Sequence, residues 1–282
     1  MGRKISIVTD GACSMTLEEA AKFGVYAAPI YVVFGEKTYR SGVDLQASEF
    51  YELQKSSKKL PSTAQTTAND FIELYTKIAE DADEIITITI SSKLSATYQS
   101  AEMAQKMFTK IPVHTVDSGS ASWGQALIAI AAARAANQGK EVDEIIHLIE
   151  VIKERMNVFF VLDTLEYLYR GGRIGGAAAF FGSALHIKPI LYLKDGKIET
   201  YEKQRTRKRS IARILEILEE KAAGKTIHVA ILHGNCPEEA AEIEEHVRKK
   251  YSCFDMMTVE IGPVIGVHAG PGTLGLAFYS LD

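Results

Sequence analysis

Four short segments of this chain bring hydroxyl, cationic or imidazole side chains to backbone that a helix start or glycine leaves open. The first is Pro61-Ser62-Thr63-Ala64-Gln65-Thr66-Thr67, a hydroxyl-rich loop ahead of a helical pattern, with Asn69 as candidate N-cap. Such a loop ordinarily caps a helix; its functional reading is that Thr63 offers a hydroxyl to an anion. The second is Ser91-Ser92-Lys93-Leu94-Ser95-Ala96-Thr97-Tyr98, which follows the strand-like EIITITI and opens a helix. Open α/β sheets place ligands there, because unpaired N–H groups and the helix dipole favour an anion. Ser95 can serve as N-cap and as ligand donor together.

The third segment, Tyr169-Arg170-Gly171-Gly172-Arg173-Ile174-Gly175-Gly176, sets two arginines among four glycines and reads as an exposed cationic loop. Arginine forks suit phosphate or carboxylate. A second basic run, Lys203-Gln204-Arg205-Thr206-Arg207-Lys208-Arg209, falls at a strand-to-helix transition. Such runs are ordinarily solvated faces, but two basic loops in one half of the chain point to an acidic partner. The fourth, from Gly262 to Gly275, carries His268 in what reads as a glycine-rich loop. Gly270, Gly272 and Gly275 spell GxGxxG, yet a dinucleotide site needs a strand before and a helix after it. Here Thr273–Leu281 reads as strand, so that reading is rejected. His268 can instead donate to, or carry charge beside, a carboxylate.

Elsewhere the catalytic templates fail. The sequence has no GxSxG elbow, no GxxxxGK[ST] phosphate loop and no HExxH helix. His114, His147, His186, His228, His233 and His246 show no ligand spacing. Cys13 follows the first strand, but no general base can be assigned to it. Three scattered cysteines without CxxC spacing argue against a disulfide framework or a zinc knuckle. The formal net charge of −4 gives no basic surplus for non-specific nucleic-acid binding. No apolar run reaches the ~18 residues of a membrane span, and the opening Met1-Gly2-Arg3-Lys4 leads into a strand rather than a signal-peptide core. The expected setting is cytoplasmic.

The elements that must position these segments alternate between strand and helix. Ile5–Thr9 and Val25–Phe34 read as strands, the latter turning at Gly35-Glu36 into Lys37–Arg40. Helix Phe71–Ala79, strand Glu84–Ile90, helix Ser95–Lys110, strand Pro112–Val116 and the alanine-rich helix Gly124–Gln138 follow. After helix Val142–Arg155, strand Val158–Leu162 opens a second unit. There Pro189–Leu193 and Lys197–Tyr201 flank the hairpin signal Asp195-Gly196. Helix Ser210–Ala223, strand Thr226–Leu232, helix Pro237–Lys250 and strand Asp255–Ile261 complete it. With 282 residues, a single core is at its usual limit. The reading is two α/β domains, 1–155 and 156–282, with a cleft between them as the default ligand site.

Taken in order, these segments resemble the DegV family of bacterial fatty-acid-binding proteins, whose best-understood members are binding subunits of a two-component fatty acid kinase. LSATYQSA (94–101), LEYLYRGGRI (165–174), RTRKR (205–209) and GPVIGVHAGPGTLGLAF (262–278) carry the resemblance, which spans essentially the whole chain. It implies a two-domain α/β fold with a lipid tunnel between the domains and a role in phospholipid metabolism. It also implies that Thr63 and Ser95, with Ala96 adjoining and His268 close by, hold a long-chain fatty acid's carboxylate. Arg170, Arg173, Arg205 and Arg207 would meet an ATP-dependent kinase that phosphorylates the carboxylate while the lipid stays on its carrier. The chain itself would have no catalysis and no cofactor. The family's Asp-Ser-Thr-x-Asp-Leu is here Asp10-Gly-Ala-Cys-Ser-Met15, its Ser-Gln-Pro is Ala64-Gln65-Thr66, and its Ser-Gly-Thr is Ser95-Ala96-Thr97. These departures bear on tunnel shape and preferred chain. Two other readings stand beside this one: a stand-alone acyl hydrolase or transferase using Ser95 or Cys13, and a lipid-sensing regulatory protein.

Overall fold

Ile5–Asp10 (β1) and Glu84–Thr89 (β6) are buried along their whole length, as expected of parallel strands covered on both faces. They form the centre of a parallel sheet ordered β2-β1-β6-β7, with Val25–Ala28 (β2) and Val113–Asp117 (β7) at its edges. The computed structural model describes residues 3–57, 59–182 and 187–282; Met1, Gly2 and His186 of the sequence reading lie outside them. A small antiparallel sheet joins Tyr31–Phe34 (β3), Lys37–Arg40 (β4) and Ser62–Ala64 (β5). The remaining strands are Asn157–Val161 (β8), Lys188–Lys194 (β9), Lys197–Gln204 (β10), Ile227–His233 (β11), Cys253–Glu260 (β12) and Leu274–Tyr279 (β13). They form a six-stranded sheet in the order β10-β9-β8-β13-β11-β12, parallel only between β11 and β12. The α/β class is as expected.

Helix Trp123–Asn137 is apolar around most of its circumference, and twelve of its fifteen residues are buried, so only its last turn meets solvent. It lies between the two large sheets. Ile5, Ile7, Ile86 and Ile88 pack against it from one, and Ala230, Leu232, Ala277 and Tyr279 from the other. The alanines explain themselves: small side chains let two sheets approach one helix closely. The outer face of the parallel sheet is covered by helices Ala68–Ile78 and Thr97–Met107, through Phe71, Tyr75 and Ala104. The outer face of the six-stranded sheet is covered by Arg207–Ala222 and Pro237–Lys250.

Helix Val142–Arg155 ends two residues before β8 begins, and among the described residues no sheet mixes strands from the two sides of residue 156. The core, however, is shared through the central helix. Among the described residues no helix is long and apolar enough to cross a membrane.

Several local expectations need correction. The run Val25–Phe34 is not one strand. Pro29, which has no N–H to give a ladder, separates β2 in the parallel sheet from β3 in the small one. The N-cap of helix Ala68–Ile78 is Thr67 rather than Asn69, with Thr67 and Asp70 forming a reciprocal capping box. Helix Thr97–Met107 starts later than expected, with Ala96 and not Ser95 at the cap position. His268 sits on a helix, Pro263–Ala269, rather than in a loop. Tyr169 and Arg170 belong to the short helix Glu166–Arg170, so the expected cationic loop begins only at Gly171.

Candidate functional site

The buried carboxylate of Asp10, at the end of β1, fixes the loops that follow the two central strands. It accepts hydrogen bonds from the N–H groups of Ala12 (2.9 Å) and Ile90 (2.8 Å). Beyond Ile90 the chain turns, with Leu94 and Ser95 both donating main-chain bonds to the Ser91 carbonyl. Ser91 Oγ donates to the Gly196 carbonyl at 2.8 Å, tying this turn to the β9–β10 hairpin. Gly196 is required there, because a Cβ would lie 2.4 Å from that hydroxyl. Ser95 Oγ lies 2.9 Å from Thr97 Oγ1 and accepts the Thr97 N–H at 3.2 Å.

Thr63 reaches the same place from β5, where it pairs with Val32 of β3. Its Oγ1 is 3.0 Å from His268 Nε2. The helix carrying His268 starts with Pro263 in the first turn and is stopped by Gly270 at φ +77°. On the other side of the ring, Nδ1 is buried without a hydrogen-bond partner among the described residues. Gly171 packs directly against it; a Cβ there would lie 2.2 Å from Nδ1. Arg173, half-buried, donates from Nε to the Leu94 carbonyl (3.0 Å) and from Nη1 to the Gly171 carbonyl (2.6 Å). It therefore clamps the Ser95 turn to the Gly171 turn.

Thr63, Ser95, Arg173 and His268 all line one cavity of about 1070 Å³ including its mouth. The rest of its wall is mostly apolar, with Ile30, Leu94, Phe160, Leu193, Ile198 and Ile265 among its side chains. Thr63, Arg173 and His268 also line an outer cleft with Tyr167 and Arg170, so they stand between the apolar interior and that cleft. Ala96 is exposed and lies outside the cavity wall. Arg170, Arg205 and Arg207 also lie outside it. Arg170 pairs with Glu166 on the surface, and Arg205 is exposed at another cleft. Arg207 is held by Glu239 (2.7 Å) and Asp163 (3.2 Å). Arg173, expected with the partner-facing arginines, brings a guanidinium to the cavity wall as well as to the outer cleft. The Gly171-Gly172 pair was the available signal: glycine permits close approach as readily as an exposed turn.

Burial, reinforced by the Arg173 charge, pushes His268 down to about 4, so the ring is neutral near pH 7. With Nε2–H donating to Thr63 Oγ1, the threonine keeps its own proton for a ligand; the other tautomer would consume it. Burial raises Asp10 to about 6 against the donors at Ile90 and Ala12. Cys13 is fully buried, and burial pushes its thiol up to about 12, which leaves it a poor nucleophile.

The two shifted groups act oppositely on stability. An acid raised on folding favours the native state at low pH, and this contribution fades as pH climbs from about 4 to about 6. A base lowered on folding contributes fully above about 6.5 and fades as pH falls toward about 4. Between roughly pH 4.5 and 6 the two slopes offset each other. Relative to wild type, His268→Gln is expected to lose about 2 kcal/mol of unfolding free energy as pH rises across that window, and Asp10→Asn to gain about as much. Denaturant titrations at half-unit pH steps check both signs.

The model of the family described as "uncharacterised protein, DegV family" matches residues 4–281. The chain is 38% identical over 278 residues to a DegV domain-containing protein of Halalkalibacterium halodurans, covering 98% of each. Among solved structures it is similar to DegV of Bacillus subtilis, a fatty acid binding protein, at 36% identity and TM-score 0.92, with 99% of each chain covered. A DegV family protein of Thermus thermophilus, solved for its fatty acid binding, matches at 32% identity and TM-score 0.92 over 99% of this chain and 100% of that one.

Proposed function

The chain belongs to the DegV family, and on that premise we propose that it binds a long-chain fatty acid and presents its carboxylate to a partner kinase. The observation that carries this reading is one apolar cavity with Thr63, Ser95, His268 and Arg173 on its wall. A carboxylate cannot be buried bare, and two hydroxyls, an imidazole and a nearby guanidinium answer that need. Each buried methylene contributes roughly 0.8 kcal/mol, and several are needed to offset the cost of association, so short acids are poor ligands.

The position of Thr63, Arg173 and His268 between the cavity and the outer cleft leaves the carboxylate within reach of a phosphoryl donor arriving from outside. Arg170 and Arg205, the more exposed of the arginines, are the contacts we assign to the kinase. The arrangement gives a hydrolase little to work with: the hydroxyl beside Ser95 belongs to Thr97, and His268 is occupied by Thr63.

Two measurements test this. Native mass spectrometry of the protein gently purified from a bacterial host is expected to show a co-purifying fatty acid; a bare protein under those conditions argues against a carrier. Addition of a fatty acid kinase and ATP is expected to yield acyl-phosphate. Arg205→Glu should abolish that product while the lipid stays bound, and loss of both together would refute the partner assignment.

A further inference from the structure

A second cleft, of about 1130 Å³ including its opening, lies behind the cavity at the end of the six-stranded sheet. Val158 and Leu193 line both spaces. Phe159 pairs with Tyr192 and Phe160 with Leu191 across β8 and β9, which sets Val158 beside Leu193. The β8–β9 pairing stops at Phe159–Tyr192, so the two spaces share the Val158 and Leu193 side chains where the strands part. Past these side chains, Phe159, Tyr192 and Tyr201 give the cleft an aromatic wall, with ring centroids 5.8 Å apart for Phe159–Tyr192 and 5.0 Å for Phe159–Tyr201. Asn157, Lys153 and Lys221 form its polar rim.

Ser120 also lines this cleft. It is 3% exposed, and its Oγ has no hydrogen-bond partner among the described residues. It sits beside Val158: a Cβ on Gly124 would lie 2.3 Å from Ser120 Oγ and 2.8 Å from Val158 Cγ2. An orphaned hydroxyl in that position is costly unless a ligand completes it. We propose that acyl chains too long for the cavity pass between Val158 and Leu193 into this cleft, and that an oxygen near the far end of the chain bonds Ser120 Oγ. The ligand class is a very long fatty acid hydroxylated toward its methyl end. The inference rests on the acyl reading of the cavity.

Displacement of a bound fluorescent fatty acid tests it, using hexadecanoic, tetracosanoic and 24-hydroxytetracosanoic acids. On wild type, the hydroxy acid is expected to bind at least fivefold more tightly than the unsubstituted 24-carbon acid. Ser120→Ala should erase that ratio while hexadecanoic acid stays within twofold. A ratio that survives Ser120→Ala, or 24-carbon acids that fail to displace the probe where hexadecanoic acid succeeds, overturns this inference alone. Failure of hexadecanoic acid on wild type overturns the acyl reading and this inference with it.

Discussion

Replacing Thr63 and Ser95 together by alanine is expected to lower affinity for a long-chain fatty acid by about a hundredfold or more. A hydrogen bond to a charged group contributes roughly 1.5–3 kcal/mol, so two lost hydroxyls account for at least two decades. The two positions are not equivalent. Thr63→Ala also removes the partner of His268 Nε2, and because Nδ1 already lacks one, both ring nitrogens are then orphaned. Ser95→Ala removes only two local bonds with Thr97. The single Thr63 variant should therefore account for the larger share. Calorimetric titration of delipidated protein with hexadecanoic acid measures it, and unchanged affinity in the double variant would show that the carboxylate sits elsewhere.

The second large effect concerns the joint between the central helix and the six-stranded sheet. Arg134 grips Asp255 with both terminal nitrogens, at 2.5 and 2.7 Å, and His228 Nδ1 lies 2.7 Å from the same carboxylate. Burial alone would raise the Asp255 pKa, but the bonds from Arg134 and His228 hold it well below the usual carboxylate range. His228 stacks flat on Tyr279, centroids 4.4 Å apart, and Arg134 lies over Phe254. Asp255→Ala strips two cationic or polar partners at once and is expected to cost about 3 kcal/mol, the lower end of the range for breaking a buried pair because Arg134 is partly solvated. Replacing Arg134 and Asp255 together by methionine should recover most of it. Denaturant unfolding decides the matter: a loss below about 1 kcal/mol in Asp255→Ala would mark the pair as solvent-screened.

Much of the architecture could be read from the chain because burial leaves its period in the sequence. Glu84–Thr89 and Ile227–His233 are largely apolar runs too short for helices, and the alanine-rich stretch before Gly139 is long and mostly apolar. Misreadings fell where a distant partner decides the outcome. Pro29 marks a break within Val25–Phe34, but nothing there tells that the first four residues join a parallel sheet and the last four a separate one. The helix around His268 was hidden by its glycines. Gly266 is there because a Cβ would lie 2.6 Å from Phe50 Cε1, and Gly270 because the chain must turn at positive φ. Thr63 and Ser95 were visible as hydroxyls at element boundaries. The inward position of Arg173 was not, because it is fixed by the carbonyl of Leu94, 79 positions earlier.

The order of the six-stranded sheet sets a timetable for biosynthesis. β13, the last strand along the chain, lies between β8 and β11 and hydrogen-bonds to both. Until residue 279 has cleared the ribosome, β8 and β11 face an empty slot, each with an unpaired edge and a greasy flank. The nascent polypeptide must therefore wait, open to chaperones, until β13 arrives to close the sheet.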